Sequence, residues 1–391
     1  MRLYGVALCM LHLVVMLCVP PGRLAVDVAT EKIDGGGVIN LSNRERTWTP
    51  HMSLSALFAE INSITSYFSF RTFDPEGLLF YGDSNDGKDW FVLSLRGGYP
   101  EMHFGKSNMM VTVLGGPKLN NGVWHKLELY NEGEFVVLNV DDKQELRVGM
   151  HQNHRGPDRT GFIRLALGGI LIDHKKLPIL FNPLLDACIR DGHWLNLSTP
   201  WDTTPRKTAT PCFPDIKPGS FFPGTGLAIF NTSVLPGFDP ERGIVITVHA
   251  SSNKWNGTIL SMWSHQSPLR IISVGEDTKA ERMFFKVNVG GIATHNHFAK
   301  DFNSFQLTIE KDSITFESSG QQMTVPVAGI VTQWKEGMLL AFGGLLGDGA
   351  EYSGSEYMEG CLHTIFVQGQ KIDLDQALFK DASVSSHSCP V

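Results

Sequence analysis

A short block occurs twice in this chain. Leu165-Ala166-Leu167-Gly168-Gly169-Ile170-Leu171 returns as Leu340-Ala341-Phe342-Gly343-Gly344-Leu345-Leu346. Cys188-Ile189 lies 17 residues beyond the first copy and Cys361-Leu362 lies 15 beyond the second. A repeat at this separation means one domain used twice, each copy of about 170 residues. The total of 391 residues fits two domains of ordinary size.

Both copies are written in strands. Leu78-Leu79-Phe80-Tyr81 and Trp90 to Leu95 are short apolar runs bounded by turn residues, and Trp124 to Tyr130 alternates apolar with charged. Phe135 to Val140 ends at Asp141-Asp142, a hairpin turn into Glu145 to Val148. The second half restarts the pattern at Gly243–Val248, Met283–Val289, Phe305–Ile309 and Ser313–Phe316. Apolar periodicity of two with frequent turns, and no amphipathic helix beyond about two turns, predicts an all-β fold, an antiparallel sandwich or barrel. We divide the chain into a segment 1–25, a leader 26–50, a first domain 51–198, a linker 199–219 with five prolines, and a second domain 220–391. The prolines favour an extended, semi-rigid connection.

The N-terminal 25 residues read as a secretory signal peptide: Arg2, an apolar stretch Leu3–Val19, then Pro20-Pro21-Gly22 and the small residue Ala25. Secretion implies that Cys188, Cys212, Cys361 and Cys389 form disulfides. Three connectivities are possible, and Cys188–Cys212 with Cys361–Cys389 is favoured because each closes a short loop near a domain end. Asn40, Asn196, Asn231 and Asn256 head glycosylation sequons. The formal charge of −7 argues against nucleic acid as a partner. No internal run is long enough to span a membrane.

Catalytic motifs are missing: the chain has no G-x-S-x-G, H-E-x-x-H, P-loop or G-x-G-x-x-G, and we expect no enzyme. His151/His154 and His295/His297 have zinc-like spacing but no third ligand nearby, so surface histidine is the expectation. Asp83 to Ser94 imitates an EF-hand loop and fails it, with Lys88 in place of glycine and Ser94 in place of glutamate. Asp74-Pro75-Glu76 is the better calcium candidate, two carboxylates held near one point by proline, against a solvated acidic turn. Asp83 and Asp86 read as part of a solvated loop.

The stretches RTFDPEGLLFYGDSNDGKDWFVLSLRGGYPE, GPKLNNGVWHKLELY, IRLALGGIL, VQGQKIDLDQAL and HSCP resemble the tandem laminin G-like domains of the sex hormone-binding globulin family. The likeness covers residues 50–390, is strongest in the first half, and diverges as a non-mammalian member would. The related tandem of the protein S type, a calcium-dependent adhesion or receptor-ligand module, is the nearest rival. The resemblance implies two laminin G-like jelly-roll sandwiches and a secreted plasma carrier that binds androgens and oestrogens non-covalently, controlling their free concentration. It implies a steroid site between the sheets of the first domain. Ser66 would bind the A-ring oxygen, Asp89 the D-ring oxygen, Phe91 would stack on the rings, and Leu129 and Ile163 would form walls. Lys106 stands where the family has an asparagine for the D-ring oxygen, and Asn131 where it has a wall methionine. Calcium would be held by Asp74, Glu76 and a main-chain oxygen near Leu184. Ser107 and Thr160 replace the family's zinc-binding histidines. The resemblance also implies a homodimer through the first domain's sandwich edge. The second domain has no counterpart of the Asp74-Pro75-Glu76 turn, so we expect no steroid or calcium site there.

Overall fold

The computed structural model describes residues 37–391 apart from 43–46, 62–64, 107–108, 134, 150–160, 178–181, 194–211, 240, 251–254, 265–268, 278–281, 290–291, 299–303 and 347–353. The signal-peptide segment, Asn196, Ser107, Thr160, His151, His154 and most of the linker lie outside the described residues.

The first half builds β1 (Ile39–Asn40), β2 (Met52–Leu57), β3 (Ser66–Thr72), β4 (Gly77–Ser84), β5 (Asp89–Arg96) and β6 (Tyr99–Lys106). It continues with β7 (Met109–Leu114), β8 (His125–Glu132), β9 (Phe135–Val140), β10 (Lys143–Gly149), β11 (Phe162–Leu167) and β12 (Ala187–His193). Among the described residues these form two antiparallel six-stranded sheets, ordered β1-β12-β3-β8-β9-β10 and β2-β11-β4-β5-β6-β7. Alternation decides which side chains meet between them. Phe68 and Phe70 of β3, Leu127 and Leu129 of β8, and Phe91, Leu93 and Leu95 of β5 share one buried cluster. Their neighbours Trp90 and Val92 turn outward and are covered by Leu78, Tyr81, Ile170 and Leu177. Leu79 and Phe80 both reach the inner cluster because the β4–β5 register slips between Leu78 and Phe80, as a β-bulge permits. Asp141 and Asp142 both take left-handed backbone, φ 50° and 64°, which makes the β9–β10 turn match the strand twist.

The second half repeats the plan. Ser220–Pro223, Glu359–Val367, Ile244–Ala250, Ser304–Ile309, Ser313–Ser318 and Gln321–Pro326 line up in one sheet, with Gln370–Lys371 beside Glu359–Val367. The facing sheet includes Thr258–Trp263, Leu269–Asp277, Arg282–Val289 and Leu339–Phe342. A two-turn helix, Ile330–Glu336, buries Ile330, Val331 and Trp334. His295 and His297 lie on the strand Ile292–Phe298 of this sheet.

Both expected disulfides are present, Cys188–Cys212 and Cys361–Cys389. The linker is less independent than its prolines suggest. Its last residues, Ile216–Pro218, pair with the C-terminal strand Ser388–Pro390, and Phe213 and Pro214 accept hydrogen bonds from the Arg71 guanidinium. One sequon expectation is corrected. Asn40 is buried in β1, and its amide oxygen accepts from the Ser42 N–H and hydroxyl, so its side chain is not presented for a glycan. Asn231 is half-buried and caps a short turn through the Ser233 N–H, whereas Asn256 is exposed.

Candidate ligand-binding site

One end of the first sandwich stays open between its sheets. β4 ends there at Gly82-Asp83-Ser84, β5 begins there at Asp89, β6 ends there at Lys106 and β11 begins there at Phe162-Ile163. The resulting cavity, about 210 Å³, is walled by Phe58, Phe80, Phe91, Phe104, Leu129 and Leu165. It is apolar over most of its lining, with polar groups gathered at the strand ends, as ligand pockets are.

Five of the seven residues assigned to a steroid line this cavity: Asp89, Phe91, Lys106, Leu129 and Ile163. Asp89 and Lys106 are direct cross-strand partners, so a carboxylate and an ammonium stand side by side on the wall. Ser66 and Asn131 are not in the lining. Ser66 is fully buried as the cross-strand partner of Leu129, and Asn131 is exposed as the cross-strand partner of the lining residue Val136. Phe58, Phe80, Phe104, Val136 and Leu165 were not singled out from the sequence, because inward-facing residues at a sandwich end look the same as core residues in the chain.

Asp83 overturns its expected reading. It is not solvated but buried, held by Arg164 through Nε at 2.7 Å and Nη2 at 2.8 Å, and it accepts the Tyr81 hydroxyl proton. Burial, with the Asp83 carboxylate beside it, pushes the Tyr81 hydroxyl up, and the bond to Asp83 raises the Arg164 guanidinium further. This charge is therefore neutralised within the protein and not offered to a ligand. Asp86 remains exposed, in left-handed backbone. Trp90 seals the outer side of the wall: its ring lies flat against Gly105, where any Cβ would sit 2.2 Å from the indole.

The acidic turn at Asp74 is arranged otherwise than calcium requires. Asp74 is buried; Oδ1 accepts from the Glu76 N–H at 3.0 Å and Oδ2 from the Asp186 N–H at 2.8 Å. Glu76 is turned toward Arg96, 3.5 Å away, and the Leu184 oxygen presses on Gly77. The imidazole of His387, from the far end of the chain, stands 3.5 Å from Asp74 Oδ1. With Asp74 facing His387 and Glu76 facing Arg96, the side chains of Asp74 and Glu76 as placed do not converge on one point as a calcium site needs. Among the described residues, the acidic and imidazole groups that converge are Asp74, Asp375 and His387. Burial pushes the Asp74 carboxyl up, against the opposing pull of the His387 imidazole. Burial also opposes the His387 cation, but Asp74, Asp373 and Asp375 outweigh it and raise the imidazole well above its ordinary range.

Comparison with known proteins agrees with this geometry. The laminin G domain family matches residues 70–199. Mouse laminin α1 domains LG4-5 superpose with a TM-score of 0.64 at 19% identity, covering 91% of this chain and 94% of that one, which establishes the fold. Sex hormone-binding globulin of Homo sapiens is 29% identical over 85% of this chain and 81% of its own. Sex hormone-binding globulin of Phodopus sungorus is 30% identical over 83% of this chain and 80% of its own. With a pair of laminin G-like sandwiches and relatives matched along most of their length, the chain belongs to the sex hormone-binding globulin family.

Proposed function

We propose that this protein is a non-enzymatic carrier that binds sex steroids in the open end of its first sandwich. The observation that carries this reading is the cavity itself: an aromatic and aliphatic slot whose polar residues cluster at one end. A steroid has the complementary form, a rigid apolar body with oxygens at its tips. Nanomolar affinity needs about 12 kcal/mol, and a hydrogen bond contributes only about 0.5–1.5 kcal/mol net. The slot must supply most of the affinity, and the polar end selects among steroids. Charcoal-resistant retention of tritiated dihydrotestosterone tests this. No retention at micromolar steroid defeats the reading and leaves an adhesion module.

Lys106 sets the preference at the polar end. An ammonium only donates hydrogen bonds and an ionised Asp89 only accepts them. A carbonyl is served by Lys106 and a hydroxyl by both. Lys106→Met, which removes the donor, is therefore expected to lower affinity for a 17-keto steroid about 3–10-fold relative to its 17-hydroxyl counterpart, the equivalent of one hydrogen bond. Competition binding with the two steroids measures the ratio, and an unchanged ratio removes Lys106 from the site.

The dimer belongs to the same proposal. β7 is an edge strand that exposes Met109, Met110 and Leu114, with 65%, 42% and 53% of each in solvent. An exposed apolar edge invites pairing with another copy. Sedimentation velocity should show a concentration-dependent dimer that Met110→Lys weakens.

A further inference from the structure

We propose that the second sandwich latches onto the first through a buried polar cluster, in which His387 and Ser385 meet Asp74 and Asp186 while Lys380 braces Asp375 from behind. The second domain thereby acquires a role that its sequence did not disclose, and the proposal stands independently of the steroid site.

The contacts cross from one sandwich to the other. His387 Nε2 lies 3.5 Å from Asp74 of the first sandwich, and 3.4 Å and 3.2 Å from Asp373 and Asp375 of the second. Lys380 Nζ lies 2.8 Å from Asp375 and donates to the Ser386 hydroxyl at 3.0 Å. Asp186, on the first sandwich just before β12, accepts from the Ser385 hydroxyl at 2.5 Å and from the His387 N–H at 2.9 Å. Its own N–H donates to Asp74, so Asp186 and Asp74 form one hydrogen-bonded face toward the second sandwich. Asp74, Asp186, Ser385 and Ser386 are all at most 5% exposed.

The geometry distinguishes a latch from a metal site. Asp74, Asp375 and His387 offer atoms within 4.8 Å of one another, a spacing that suits an ion. But Lys380 already neutralises Asp375 at hydrogen-bond distance, and the imidazole is enclosed by three carboxylates. A buried ion pair is costly to break on one side, since the remaining charge loses its partner in a dry site. Undocking would strip Asp186 of its bonds from Ser385 and His387 and Asp74 of its imidazole neighbour, so the cluster favours docked sandwiches.

The test uses the full chain. Small-angle X-ray scattering is recorded for the wild type and for Lys380→Met/His387→Gln, each in EDTA and in millimolar calcium chloride. The expected result is one compact wild-type profile, the same in both buffers, and a broader distance distribution with a larger radius of gyration for the variant in both. Steroid retention by the variant stays at the wild-type level, because neither residue lines the cavity. EDTA broadening the wild type, or calcium restoring the variant, overturns the proposal in favour of a metal. A variant profile identical to the wild type overturns it outright. Should the double variant fail to fold, Ser385→Ala removes one hydroxyl and leaves the charges. Hydrogen exchange at Asp186 and His387 is then expected to accelerate, and unchanged protection overturns the proposal.

Discussion

Ile163→Trp is expected to abolish retention of tritiated dihydrotestosterone while leaving the melting temperature of the unliganded protein within a few degrees of wild type. Ile163 is the second residue of β11, is buried, and lines the cavity from the sheet opposite Leu129. An indole there projects into space that a ligand needs. In a filled core such a change is destabilising by about 1–3 kcal/mol. Here the about 210 Å³ of open volume accepts the ring, and the added apolar burial offsets the strain. Steroid loses on the same account. Burying about 400 Å² of apolar ligand surface contributes about 10 kcal/mol, and excluding a third of that surface weakens binding by about two orders of magnitude. Equilibrium dialysis and calorimetric melting in parallel separate the two effects. Wild-type steroid affinity in a folded Ile163→Trp protein places the ligand elsewhere. Loss of folding without steroid shows instead that the wall is tightly packed core. Added steroid should raise the wild-type melting temperature, because a ligand that binds only the folded chain stabilises it by mass action, and should leave that of the variant unmoved.

The strands were readable because a period of two is written locally in residues such as Leu127 and Leu129 against Lys126 and Glu128, and the turns in pairs such as Asp141-Asp142. The two disulfides were readable because each closes a short loop. What the chain could not display is which distant residue answers a charge. Asp83 sits among acidic neighbours and looks solvated, and only the β4–β11 pairing brings Arg164 beside it. Asp74 and Glu76 look like partners because proline joins them, yet Asp74 meets His387 from the C-terminus and Glu76 meets Arg96. Ser66 and Leu129 show the same limit within the pocket. They face the same way as cross-strand neighbours, yet Leu129 lines the cavity and Ser66 does not, a difference that no local pattern in the chain encodes. Asn40 carries a sequon that reads as exposed until β1 pairs with β12 and buries it.

Arg164→Met should be the most damaging single change near the cavity, because it strands a charge. The Asp83 side chain is fully buried, while Arg164 retains 31% exposure. Removing one member of a buried pair costs about 3–5 kcal/mol, and the partial exposure of Arg164 places this case at the lower end. For a domain of this size about 3 kcal/mol lowers the melting temperature by roughly 6–12 °C. Asp83 lines the cavity, so the stranded carboxylate also changes what a ligand meets there. An ionised, unpaired acid disfavours an apolar body, and steroid retention should fall with stability. Asp83→Asn/Arg164→Met is expected to recover most of the lost melting temperature. A neutral amide needs no cation, and its oxygen can still accept from the Tyr81 hydroxyl. A double variant as unstable as Arg164→Met alone would mean that the guanidinium acts through its packing and not through Asp83. A single variant that melts with the wild type would mean that water reaches Asp83 and that the cavity is wetter than its lining indicates.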